Sequence, residues 1–186
     1  MREELLEIYS SSGKKTGKKA TKSYIHKKGL FHATVHVWIF SEKGNVLIQK
    51  RSTKKKLNPG VWDVSVAGHI GYKEDIKAAA IRETFEETGI DINAEDLSEI
   101  GVYKSVNIYP KTIDKEFHHT YLLKINEDKI NLNYKNDEVD DLKLISLREM
   151  DLLLSQNNRD IFIGKNKNYY NDVFEAILKI TRENYQ

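Results

Sequence analysis

Apolar positions along this chain recur with two different periods, and the places where the period changes mark the expected elements. From Phe31 to Phe40 the run FHATVHVWIF is dense in β-branched and aromatic residues. After a turn at Ser41 to Asn45 it is followed by VLIQKR at 46 to 51, a pattern that predicts a strand hairpin. Lys54 to Lys56 and Asn58-Pro59-Gly60 form a loop, and strand-like alternation resumes from Val61 to Ile70. The stretch IKAAAIRETFEET then lies between Asp75, a good N-cap, and Gly89, suited to a left-handed C-terminal residue, so a helix is expected over 76–88. Further strands are expected at 98–107, 116–126 and 139–146, and helices at 147–155 and 168–184. The last helix would turn Tyr170, Val173, Phe174, Ile177 and Leu178 to one face for core packing. Ahead of all this, residues 4–9 read as a short strand entering a Ser, Gly and Lys-rich turn at 10–17. Strands and helices mix without regular alternation, which points to an α/β fold, an α/β/α sandwich around a mixed sheet, in one domain over 1–186.

Composition narrows the function classes. The 186 residues are 39% hydrophobic, enough to bury a substantial core. Thirty Lys and Arg against twenty-eight Asp and Glu leave a net charge of only +2, so no basic field announces a nucleic-acid partner, and the scattered lysines of 14–28 do not make a basic groove with interleaved aromatics. There is no Cys, which excludes disulfides, a thiolate zinc site and a cysteine nucleophile. The start, MREELLE, has charges where a signal peptide needs apolar residues, and no run approaches eighteen apolar residues, so no membrane partner and a cytoplasmic location are expected.

Candidate chemistry lies on the helix expected at 76–88. Glu83, Glu86 and Glu87 stand at i, i+3 and i+4 and so share one face, where each like-charge pair costs an isolated helix roughly 0.2–0.5 kcal/mol unless cations sit among them. A hard divalent cation such as Mg2+, with Mn2+ as a substitute, suits a set of carboxylates plus waters and substrate phosphate oxygens. It would polarise a phosphoryl group and lower the pKa of a bound water nucleophile. Around the helix, Glu74 could fold back toward Arg82 and hold the loop from Gly68 to Lys73 against it.

Written out, GHIGYKEDIKAAAIRETFEETGI from Gly68 to Ile90 resembles the Nudix box, with every charged and Gly position matched. One position departs: Thr84 stands where that family has an aliphatic residue, and Phe85 is expected to take over some of the packing. The resemblance implies a Nudix fold with Glu83, Glu86 and Glu87 as metal ligands and Gly68, Glu74, Arg82 and Gly89 as structural residues. It implies cleavage of a diphosphate bond in a small phosphorylated metabolite, with one of these carboxylates or a further Glu from a later loop orienting or deprotonating the water, and Glu83 or Glu86 as the candidates. Specificity would sit in variable loops such as 103–115 and 156–168, and a homodimer is an expectation for an enzyme of this size.

A second resemblance covers more of the chain. HATVHVWIFSEKGNVLIQKRS and NPGVWDVSVAGHI are similar to the Nudix branch that contains isopentenyl diphosphate isomerase, in which basic residues matching Arg51 and Lys55 hold the substrate diphosphate. Lys54 and Lys56 are read as solubilising loop charges. That branch requires a Cys before the Gly-His pair, and Ala67 occupies the position here. Its Trp-x-Glu-x-Glu pattern is weakened to Ile113-Asp114-Lys115-Glu116. Hydrolysis is therefore favoured over isomerisation, with a non-catalytic sensor of a nucleotide-linked metabolite as a third reading. His26, His32, His69, Asp114 and Glu116 match, with a one-residue shift in spacing, positions that build a separate metal site in the isomerases.

Overall fold

The computed structural model describes residues 3–155, 161–163 and 167–183. Among the described residues nine strands form one mixed sheet: β1 (Leu5–Tyr9), β2 (Lys15–Thr21), β3 (Phe31–Ser41), β4 (Asn45–Arg51), β5 (Trp62–Asp63), β6 (Val66–His69), β7 (Leu97–Tyr109), β8 (Thr112–Ile125) and β9 (Val139–Ser146). The described residues also include the α-helices α1 (Lys22–Lys28), α2 (Ile76–Thr88), α3 (Leu147–Ser155) and α4 (Lys167–Glu183).

The central strand is β3, and its composition explains why. Every residue from His32 to Ser41 is buried, so the strand has no solvent face and reads as a continuous apolar run broken only by His32, Thr34, His36 and the closing Ser41. It pairs in parallel with β8 along its whole length and antiparallel with β6 through Thr34↔His69 to Val37↔Val66. Ala33, Val35, Val37 and Ile39 pack with Val66, Ala79 and Ala80 under α2, while Trp38 and Phe40 pack with Tyr169, Val173 and Ile177 of α4. Alternate residues thus serve two helical layers on opposite faces of the sheet. No helix among the described residues is long and apolar enough to cross a membrane.

Several expectations need correction. The hairpin from Phe31 to Arg51 holds only at its root, at Phe40↔Val46, because β4 then diverges to pair with β9 and β5. The strand expected at 61–70 is two short ones, β5 and β6. The turn-like start contains a second strand, β2, and a helix, α1, whose single buried residue is Ile25 and whose N-cap and C-cap are Thr21 and Gly29. On α4, Leu178 is 38% exposed, and Tyr169, at 1%, takes the place expected for it in the core. The segment 103–115 is an extended pair, β7 and β8, rather than a loop; 156–160 and 164–166 lie outside the described residues, as does residue 184 of the last expected helix.

Candidate active site

Helix α2 is placed by its ends. The Asp75 carboxylate accepts from Ala78 N at 3.0 Å, an N-cap contributing about 1 kcal/mol, and Gly89 closes the helix at φ 72°, with Tyr134 packed where a Cβ would stand. Its buried face carries Glu83, Thr84, Glu87 and Thr88. Thr84 needs no aliphatic substitute, because its hydroxyl donates to Ala80 O at 2.6 Å; Phe85, expected to help, is 55% exposed and does not pack there.

Arg82 organises the box. Its Nε and Nη2 grip Glu74 at 2.8 and 3.0 Å, Nη2 also reaches His69 O at 3.0 Å, and Nη1 donates to Glu83 at 2.7 Å and Glu86 at 2.9 Å. Glu74 in turn accepts from Gly71 N at 2.7 Å, so the loop between β6 and α2 is fastened to the helix as expected. The repulsion among the carboxylates consequently has a cation of the chain's own set between Glu83 and Glu86. Glu83 lies flat over β6: a Cβ on Gly68 would fall 1.9 Å from its Cδ, so only Gly fits beneath it. Glu87, 1% exposed, accepts from Gln49 Nε2 at 2.6 Å and Ala67 N at 2.8 Å.

Burial pushes the Glu83 carboxyl up to about 7 against the pull of Arg82, and burial together with the Glu83 charge pushes Glu87 up to about 8. The one Arg82 guanidinium is shared among Glu74, Glu83 and Glu86, so the carboxylate set keeps a net negative charge, which fits a divalent cation, and the all-oxygen donor set is that of Mg2+ or Mn2+. The three carboxylates share a helix face without all their oxygens gathering within 4.8 Å of one another.

On the opposite face of β6 a different set converges. His26 of α1, His32 of β3 and His69 of β6 bring ligand nitrogens within 4.8 Å of one another, and His32, Asp114 and Glu116 form a second such group. His26 Nε2 lies 3.5 Å and His32 Nε2 3.8 Å from Asp114; Glu116 is 3.6 Å from His32 Nε2 and 4.0 Å from His69 Nε2. None of the three Nε2 atoms makes a hydrogen bond to a described residue. Burial and the neighbouring His32 charge push His26 down to about 4, and burial pushes His69 well down, so both present neutral imidazole. Burial opposes charging of His32, yet the Glu116 carboxylate 3.6 Å away holds its pKa above the ordinary value. Buried imidazole nitrogens with no hydrogen bond are what a transition-metal site leaves when described without its ion.

Both clusters border one cavity of about 890 Å³ that also takes in Arg51, Lys55, Asp63, Ala67, Tyr109 and Glu138. Arg51 is anchored by Asp63 at 3.3 Å while its buried Nε has no hydrogen-bond partner among the described residues, and Lys55 is paired with Glu138. Lys54, expected to be a solvated charge, is exposed and pairs with Asp137 at 2.6 Å. Sequence reasoning missed Gln49 and Glu138, which face Glu87 and Lys55. It also missed a buried polar group of His36, His118 and Tyr169; alternation of His and Thr at 32, 34 and 36 was the available signal.

The family model described as NUDIX domain matches residues 30–163. An uncharacterised Nudix hydrolase of Clostridium acetobutylicum is 34% identical over 165 residues, covering 87% of this chain and 79% of that protein. Isopentenyl-diphosphate Delta-isomerase 2 of Photorhabdus laumondii is 32% identical over 143 residues, 77% of each. Among solved structures, DR0079 from Deinococcus radiodurans superposes with a TM-score of 0.67 at 17% identity, covering 95% of this chain and 98% of that one, a likeness of fold.

Proposed function

The chain belongs to the Nudix family, and on that premise we propose that it hydrolyses a diphosphate bond in a small phosphorylated metabolite with the aid of Mg2+. The observation that carries this reading is the complete carboxylate set of α2, with Glu83 seated on Gly68 and Glu83 and Glu86 tied to Arg82 beside a cavity that Arg51 and Lys55 border. Glu83, Glu86 and Glu87 would hold the cation, which supplies charge neutralisation of the diphosphate and a water of lowered pKa. Arg51 and Lys55 would bind the diphosphate oxygens, with Asp63 and Glu138 aiming them. Glu83 or Glu86 would orient the attacking water or take its proton. Arg82, anchored by Glu74, fixes both carboxylates in place. His26, His32, His69, Asp114 and Glu116 would hold a second ion, of the type that prefers imidazole.

That second cluster and the isomerase relative favour isopentenyl diphosphate isomerisation as a rival. It fails on Ala67, which leaves no thiol to move a proton. A sensor without catalysis has no use for a full set of three mutually repelling carboxylates. The test is turnover of a panel of nucleotide sugars, dinucleotides and simple diphosphates. Activity should need a divalent cation and fall by at least about 100-fold in Glu86→Gln. Undiminished turnover in excess chelator sinks the assignment.

A further inference from the structure

Strand β7 leaves one edge of the sheet open. Among the described residues it pairs with β8 alone, from Leu97 to Tyr109, so its outer row of N–H and C=O groups meets no further strand. Long edges are usually blunted by proline, by charge or by a covering element. Here the only Pro nearby, Pro110, follows the strand, and the face shared with Phe117 and His119 of β8 presents Val102, Val106 and Ile108 at 50%, 49% and 78% exposure. Toward α4, Ile100 lines a groove of about 410 Å³ beside the same edge, together with Ala176 and Ile180.

Two charges choose the occupant of that edge. Glu99, Val102 and Lys104 lie opposite Tyr121, His119 and Phe117, alternate residues of β8, so the bulge at Ile100 puts all three on one face. Glu99 is exposed and has no ion pair among the described residues. The Lys104 ammonium also lacks a carboxylate partner there; it rests 4.6 Å over the Phe31 ring and donates to Ser11 O at 2.8 Å, a perch that an exposed lysine on its flexible stem can leave. A second copy laid antiparallel with Val102 opposite its own equivalent sets Glu99 opposite Lys104 of the partner subunit, twice by symmetry, and Leu97 opposite Val106 of the partner subunit. Sliding the two-fold axis to Lys104 would set like charges face to face. The strand is complementary to itself in one register.

We propose that two copies of this chain join by antiparallel β7–β7 pairing centred on Val102, which continues the sheet across a two-fold axis. Asn107 and Tyr109 of the same strand border the cavity, so a partner seated on β7 stiffens one of its walls. The pairing stands apart from the hydrolase reading and needs no substrate to be tested.

Sedimentation equilibrium of the full chain should show monomer and dimer exchanging. Glu99→Lys and Lys104→Glu should each raise the dimer dissociation constant by about 10-fold or more, because two opposite-charge pairs become like-charge pairs, and the double variant should restore it. Register is read by cross-linking, since the chain has no Cys of its own. Across the axis the two Cα atoms of residue 102 would stand about 4.5–5.5 Å apart, within the span of a disulfide, so Val102→Cys should oxidise to a covalent dimer. Ile108→Cys, at a more exposed position but far from the axis, should stay monomeric in denaturing gels at the same concentration. A monomer at every concentration leaves the edge to a different chain and overturns the proposal. A dimer indifferent to both charge reversals, or cross-linking at 108 that matches or outpaces that at 102, overturns it as well.

Discussion

At the scale of single residues, two positions carry the sharpest consequences. Gly68 has no room for a methyl group, since Glu83 occupies the space within 2.3 Å of where its Cβ would be bonded. Gly68→Ala should therefore displace the Glu83 carboxylate and reduce turnover by at least about 100-fold while the chain still folds, as circular dichroism with kinetics would show. Turnover within a few-fold of wild type would mean that Glu83 is not positioned by this contact. Glu87 makes a prediction about pH. Its carboxyl, ordinarily near 4.5, is pushed up to about 8, so the folded state holds a proton that the unfolded state has released. The stability this gives is complete below about 4.5 and is lost as pH rises through about 8. Glu87→Gln abolishes that loss. In chelator the variant should match wild type near pH 5 and exceed it by on the order of 1 kcal/mol or more near pH 9, read by urea denaturation. Added Mg2+ should then stabilise wild type and much less the variant. A pH-independent difference, with both proteins stabilised equally, would make Glu87 a structural residue.

At the scale of elements, legibility followed how strongly each element depends on apolar pattern and caps. Helix α2 was readable to the residue because Asp75 and Gly89 bracket it and the glutamates repeat at helical spacing. Strand β9 was equally plain. Strand β2 and helix α1 were not, because β2 is largely exposed and α1 buries only Ile25, so neither has an apolar period; Thr21 and Gly29 were the only signals. That gap matters, since α1 carries His26 into the histidine cluster. An ion there would join α1, β3, β6 and β8, which gives an element-scale prediction. Mn2+ should raise the thermal midpoint of wild type, and His32→Gln should abolish the part of that rise that saturates at one equivalent while leaving Mg2+-dependent stabilisation intact. If His32→Gln responds to Mn2+ as wild type does, the cluster does not bind metal.

At the scale of the whole molecule, β6 is the organising piece. Three consecutive residues do three different tasks: the Ala67 amide holds Glu87, Gly68 makes room for Glu83, and His69 turns to the opposite face and the histidine cluster. The carboxylate side was legible because its residues are adjacent on one helix. The supporting partners, Gln49, Asp63, Glu138 and Tyr169, come from distant segments and are brought in only by sheet register and the packing of α4, which no local pattern reports. Ala67 also bears on the choice between chemistries: product analysis with isopentenyl diphosphate should show no dimethylallyl diphosphate that scales with enzyme concentration. The most direct test of the central claim is 31P NMR of a diphosphate panel with wild-type protein and Mg2+ in H2(18)O. We expect diphosphate resonances to give way to monophosphate resonances, one product carrying the 18O isotope shift, and the conversion to stop when chelator is added. Spectra unchanged across the panel, or conversion that continues in chelator, would contradict a metal-dependent hydrolase.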